Sequence, residues 1–232
     1  MIGEIAAVVL AAVFAITLHE AAHGFAARAL GDDTAERMGR LSLNPIRHVD
    51  PIGTVLVPGM LLISQLATIG QVQHMFGWAK PVPVNVLRLR NPRWGMVLVA
   101  AAGPAINLAL AIGFGLAAHG AIAAAESLPT GWSAWLLRLC AVSMRVNVVL
   151  AVFNLMPIPP LDGGRILVGV LPLPLARLVA QLERVGLLLV LGLVLLLPML
   201  SPELDPIGWL VRNVALPILR VIFELTGHGA IR

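Results

Sequence analysis

The chain has 232 residues, of which 59% are hydrophobic and 12% charged, with a mean hydropathy of +0.92. This excludes an ordinary soluble domain, which needs a charged surface, and points to one integral membrane domain, 1–232. A formal charge of +4 and a pI near 10.9 do not indicate nucleic acid, because the basic residues are dispersed in short segments between apolar spans.

The first apolar helix runs over about 2–30 and is ended by Gly31, Asp32 and Asp33. It does not read as a cleavable signal peptide, since it has no basic leading region. Residues 35–50 are polar and basic, and RLSLN (40–44) alternates like a short strand. A second apolar run, 52–70, is interrupted by Pro58 and Gly59. Residues 77–93 follow, and Pro81 and Pro83 there predict extended backbone. A long apolar helix over 94–118 contains AAAGPAINLAL. The next, over 134–156, runs into the proline-rich NLMPIPPLDGGR. Residues 165–184 mix apolar and basic positions, and the last spans are 185–200 and 207–225. Cys140 is the single cysteine, so no internal disulfide is possible.

Basic residues set the orientation. Segments holding Arg37, Arg40 and Arg47, then Lys80, Arg88, Arg90 and Arg93, then Arg165, Arg177 and Arg184, are expected inside. Connectors 119–133 and 201–206 carry no Lys or Arg and are expected outside, as is the N-terminus. Run 52–70 is then flanked on both sides by inside segments: either it crosses and one flank is misassigned, or it returns as a re-entrant hairpin, which Pro58 and Gly59 at its centre favour. The expected fold class is an all-α multi-pass membrane protein with about five crossing helices, that hairpin and a short membrane-associated β region. Its core is 1–170, with C-terminal helices over 185–225.

Within AITLHEAAHGFAARAL (15–30), His19, Glu20 and His23 interrupt an apolar run. A helix puts residues i and i+4 on one face, so His19 and His23 can hold one metal ion. Glu20, beside one ligand, can reach a water on the same metal and take its proton. This H-E-x-x-H spacing is the zinc-hydrolase helix signature. Zinc takes neutral imidazoles plus a carboxylate and keeps a position for water. Asp162 stands out as the third ligand, because carboxylates are scarce near the spans and Gly163 and Gly164 free the backbone beside it. His19 lies ~26 Å along its helix, near the inner end. Asp162 reaches that depth if 52–70 returns without crossing.

These motifs carry a resemblance. HEAAH in the first helix, GPAIN at 103–107 and NLMPIPPLDGG at 154–164 look like the site-2 protease family of intramembrane zinc metalloproteases. The resemblance implies one Zn2+ per chain held by His19, His23 and Asp162, with Glu20 as catalytic acid/base. It implies that Asn154 lies near the active site, contacting substrate or the oxyanion. Gly103, Pro104 and Asn107 would belong to the packed central helix, and Asn107 is carried as a second substrate-side candidate. The partners implied are a transmembrane protein or peptide substrate and the lipid bilayer. Many members carry a PDZ or CBS domain, for which this chain has no room. Arg outnumbers Lys 15 to 1, which suggests a GC-rich genome and a prokaryotic cytoplasmic membrane.

The alternative from another class is a membrane metal transporter or metal-binding protein using the same cluster. It would not need Glu20 and would spread polar residues over several helices. An inactive relative acting as a chaperone is disfavoured by the intact HEAAH and LDGG. His48 and Asp50 read either as a second metal pair or as a surface loop, with the loop preferred. His74, His119 and His228 are lone residues near span ends. Arg138 and Arg145, seven apart, either face a polar interior or snorkel. Extended segments at 39–44 and 80–86 would offer an edge to an unwound substrate.

Overall fold

The structure is a computed structural model described over residues 2–68, 70, 77–201 and 203–228. The first helix, α1 (Ile2–Ala29), is apolar on all sides and about 42 Å long, enough to cross a bilayer with margin. It closes where Asp32 N–H bonds to Ala27 O at 2.9 Å, past Gly31 at φ +109°. The short α2 (Thr34–Arg37) follows. A π-helical turn, Pro51–Leu56, leads into α3 (Val57–Thr68). Next come α4 (Pro92–Ala123), α5 (Trp132–Asn154), α6 (Asp162–Val170) and α7 (Leu173–Gln181). The eighth, α8 (Glu183–Leu191), continues through a π turn into α9 (Leu197–Leu200). In the same way α10 (Pro206–Leu210) continues into α11 (Leu216–Leu225).

Three long helices position everything else. The Trp135 indole donates to Gly3 O at 2.9 Å and Arg138 pairs with Glu4, so α1 and α5 start at one end and run parallel. At the other end Arg90 N–H donates to Leu30 O at 2.9 Å, which sets α4 antiparallel to α1. Lipid supplies no hydrophobic drive between helices, so close packing must hold them. Small residues allow it: Ala7, Ala11, Ala15, Ala21 and Ala27 are buried along α1, and Ala100, Gly103 and Ala111 along α4. On the far side Met144, Val148 and Val152 of α5 pack with Ala111 and with Ala215, Leu219 and Ile222 of the C-terminal run.

Three expectations are corrected. Among the described residues, six helical runs rather than five are long and apolar enough to cross a membrane: Gly3–Ala29, Pro51–Thr68, Pro92–Ala123, Trp132–Asn154, Glu183–Leu200 and Pro206–Leu225. No hairpin turns at Pro58 and Gly59, where the helix is unbroken from Pro51 to Thr68. Its cause recurs along the chain. Pro58, Pro198 and Pro217 each stand two residues after a π-helical turn. The wider turn absorbs the missing N–H and the ring, so proline deforms these helices without ending them. Trp78 N–H nevertheless donates to Gly53 O at 3.0 Å, so residue 78 lies beside the start of this helix.

The expected β region is also absent, with no strand among the described residues. Side chains take the backbone groups that a ladder would use. Arg40 donates to Lys80 O at 2.9 Å, Glu20 accepts from Val82 N–H at 3.0 Å, and Asp32 accepts from Asn85 N–H at 2.6 Å. Residues 80–85 lie in neither helix nor strand before a 3₁₀ turn over Val86–Arg88; Val82 and Asn85 are tied to side chains, and Lys80 N–H donates to His48 O at 2.8 Å.

Asp32 is the buried knot of this end. It also accepts from the Thr34 N–H at 3.0 Å and from the Thr34 hydroxyl. Burial raises its pKa, but these donors and the Arg88 charge outweigh that and hold it below the ordinary carboxylate value. Its stabilisation is therefore full above the unfolded value near ~3.9 and is lost as pH falls through the lower folded value. Asp32→Ala should cost about 1–3 kcal/mol, measured as a lower thermal midpoint of the purified protein in detergent. Acidification below about pH 4 should lower the wild-type midpoint more than the variant's.

Candidate metal centre

His19 and His23 lie one turn apart on α1, and Asp162 is the first residue of α6. All three are buried, and their ligand atoms meet. The two Nε2 atoms are 3.1 Å apart, and Asp162 Oδ2 is 3.1 Å from that of His19 and 3.3 Å from that of His23. Four-coordinate zinc with bonds of about 2.0–2.1 Å needs ligand atoms ~3.3 Å apart, so the triangle fits.

The outer sides of the rings decide what the inner sides carry. His19 Nδ1 faces Asn107 Oδ1 at 2.6 Å, and His23 Nδ1 faces Val99 O at 2.8 Å. Both partners are acceptors, so each Nδ1 holds the proton and each Nε2 presents a lone pair. Asp162 Oδ2 is buried with no hydrogen-bond donor. Three electron-rich atoms thus converge in an apolar interior, an arrangement that a cation stabilises and that repels itself otherwise.

The local sequence explains how Asp162 arrives. Prolines 157, 159 and 160 keep the chain irregular after α5, and α6 restarts at Asp162 itself. Gly163 and Gly164 lie against the backbone of Leu155 and Pro159, where any Cβ would collide. Gly103 has the same duty on α4. A Cβ there would stand 2.5 Å from the His23 ring and 2.6 Å from His19 Cε1, so the bare glycine makes room for both imidazoles.

Glu20 is beside this triangle, its Oε2 held by the Val82 N–H at 3.0 Å. It lines a cavity of about 330 Å³ together with His19, His23, Asp162 and Asn154. Asn154 donates to Leu150 O at 3.0 Å, which leaves its second N–H and its Oδ1 for the cavity. Asn107 does not reach the cavity. It is fully buried behind His19, donating to Ala15 O at 3.2 Å and to Asn147 Oδ1 at 2.8 Å. Its Oδ1 faces the His19 Nδ1, on the other side of the ring from the Nε2 at the triangle.

Sequence reasoning missed Asn147, the buried partner of Asn107. Its signal was an amide inside an apolar span, which membrane depth makes costly without a partner. It also missed the Val82 N–H, since backbone donors leave no mark in sequence. His48 and Asp50 make no metal pair. His48 Nε2 bonds to Ser42 O at 2.8 Å, and Asp50 caps the π turn through Ile52 and Gly53 N–H. His119 and His228 stack on each other, their ring centroids 4.3 Å apart, and bond to carbonyls of Thr226 and Gly115. His74 lies outside the described residues.

The family model described as peptidase family M50 matches residues 116–197, a segment that includes Asp162. Over 219 residues the chain is 38% identical to "Putative zinc metalloprotease YwhC" of Bacillus subtilis (strain 168), covering 91% of this chain and 93% of that one. It is 30% identical over 201 residues to "Putative zinc metalloprotease Rip2" of Mycolicibacterium smegmatis, covering 84% of this chain and 68% of the other. The namesake from Mycobacterium tuberculosis is 26% identical over 226 residues, covering 97% and 76%. No solved structure matches the chain. The chain belongs to peptidase family M50, the site-2 protease family, and is an intramembrane zinc metalloprotease.

Losing the Asn107 acceptor should loosen His19. Asn107→Leu is expected to weaken zinc binding by about 10–100-fold in competition with a chelator, with helical content unchanged. Gly103→Ala should do the same by crowding both rings.

Proposed function

We propose that His19, His23 and Asp162 hold the catalytic zinc and that Glu20 carries the proton in hydrolysis of peptide bonds within transmembrane segments of other membrane proteins. The observation that carries this reading is the triangle of three lone-pair atoms with Glu20 beside it at the cavity wall. Zinc bound there supplies a Lewis acid for the scissile carbonyl and brings the pKa of water down to about 7. Glu20 takes the proton of the attacking water and returns one to the leaving amine. The Val82 N–H holds its carboxylate toward the cavity. Asn154, with a free donor at the same wall, meets the substrate carbonyl as charge develops on it.

A transmembrane helix hides its peptide bonds in its own hydrogen bonds and must unwind before cleavage. Segment 80–85 supports that step: it lies beside the cavity in neither helix nor strand, and the Val84 N–H has no partner among the described residues. An unwound substrate pairs there by strand addition. The bacterial origin of the relatives supports residence in a bacterial cytoplasmic membrane. A transport path finds less support. Behind His19 the core is closed by Asn107 and Asn147, neither of them exposed, and then by the apolar cluster around Met144.

Glu20→Gln separates the roles. The variant should bind about one zinc like the wild type, while cleavage of a single-span substrate in liposomes falls by about 10²–10⁴-fold or more. Full cleavage by the variant would remove Glu20 from the mechanism. Transmembrane flux of zinc without cleavage would favour the transport reading.

A further inference from the structure

A second cavity, of about 830 Å³, adjoins the one at the zinc ligands. The two share Pro81, Val82, Val84, Met96 and Arg165 as walls. Segment 81–86 forms one side and α6 with α7 the other, and the floor between them is largely apolar. Four charged side chains reach it: Arg93, Arg165, Arg177 and Glu183.

Three of these are already engaged. The Arg93 Nε donates to Gly169 O at 2.6 Å and its terminal nitrogen to Val170 O at 3.2 Å and Leu171 O, which closes the end of α6. Arg165 lies 3.6 Å from Glu183. Arg177, exposed on α7, has no ion pair or hydrogen bond among the described residues. The groove therefore offers apolar floor, an unpaired N–H at Val84 and one uncommitted guanidinium, all continuous with the cavity that holds Glu20.

We propose that this groove binds the substrate stretch flanking the scissile bond, and that Arg177 pairs with an acidic residue in that stretch. The assignment rests on the proteolytic site proposed above and adds a substrate class to it: segments whose apolar residues next to the cleaved bond are followed by Asp or Glu. The occupant is peptide because the extended wall carries a backbone donor at Val84 and because the groove runs into the cavity at the metal ligands. Its volume lies within the ~300–1,000 Å³ of ordinary ligand pockets. At about 3.3 Å per extended residue, an acidic residue several positions from the cut reaches the rim.

The test uses zinc-loaded full-length enzyme in liposomes with model single-span substrates. One Asp, and in a parallel series one Lys, is walked through the positions flanking the cleavage site, with the cut located by mass spectrometry. Wild type should prefer Asp over Lys at one position by about five-fold in kcat/KM, mostly through KM. Arg177→Glu should reverse the preference at that position and leave the others unchanged, and Arg177→Gln should flatten it. Zinc content should be equal in all three. Identical profiles in wild type and both variants would overturn the groove assignment while leaving the protease intact. An Arg177 effect that follows anionic lipid content but not substrate charge would also overturn it, giving that side chain to the membrane surface. No cleavage by zinc-loaded wild type would count against the proteolytic site and the groove together.

Discussion

Three lone-pair atoms held about 3 Å apart in an apolar interior are the constraint on which the rest of this molecule depends. Buried in a medium of low dielectric constant, they repel unless a cation sits among them. The fold is arranged to force them together. Antiparallel α1 and α4 place the Asn107 and Val99 oxygens behind the imidazoles, which dictates their tautomer. Gly103 opens the space in front. The glycine pair after Asp162 lets α6 start hard against the backbone leading out of α5. Each of these features is expensive or pointless in a helical bundle with no metal, and together they describe one that holds zinc.

Much of this is legible in the chain. HEAAH can be read because helical spacing converts i and i+4 into one face, and because charged residues are too costly in a span to be idle. Asp162 can be read because carboxylates are so scarce near the spans. The helices themselves follow from apolar length. What fails to read is informative. Pro58 looks like a break, but a π-helical turn ahead of it carries the helix through, as other such turns do at Pro198 and Pro217 within spans that read as continuous. Alternation at 40–44 and the prolines at 81 and 83 look like a β region, but Arg40, Glu20 and Asp32 claim the backbone groups a sheet would pair. The first error comes from a local adjustment of the backbone and the second from side-chain hydrogen bonds made across the fold, and the sequence pattern records neither. The Asn107–Asn147 pair eluded the same reading, since neither amide reveals its partner 40 residues away.

Segment 80–85 runs along the cavity of the metal centre. It belongs to no helix or sheet, so its conformation depends on side chains: Glu20 at the site holds Val82, and Asp32 beyond the end of α1 holds Asn85. Pro81, Val82 and Val84 of this segment wall both cavities. In the proposed mechanism, proton carrier, docking edge and groove are thus coupled through one short stretch of backbone. That arrangement suits an enzyme whose substrate must be unwound and aligned before a water can attack it.

The central claim is the ligand set, and X-ray absorption at the zinc edge tests it most directly. On purified full-length protein with about one zinc per chain, the spectrum should show two imidazole nitrogens and light oxygen donors at about 2.0–2.2 Å, with no sulfur. Asp162→Ala should retain the two imidazoles and lose a carboxylate oxygen. A zinc shell with fewer than two imidazoles, or one unchanged by Asp162→Ala, would contradict it.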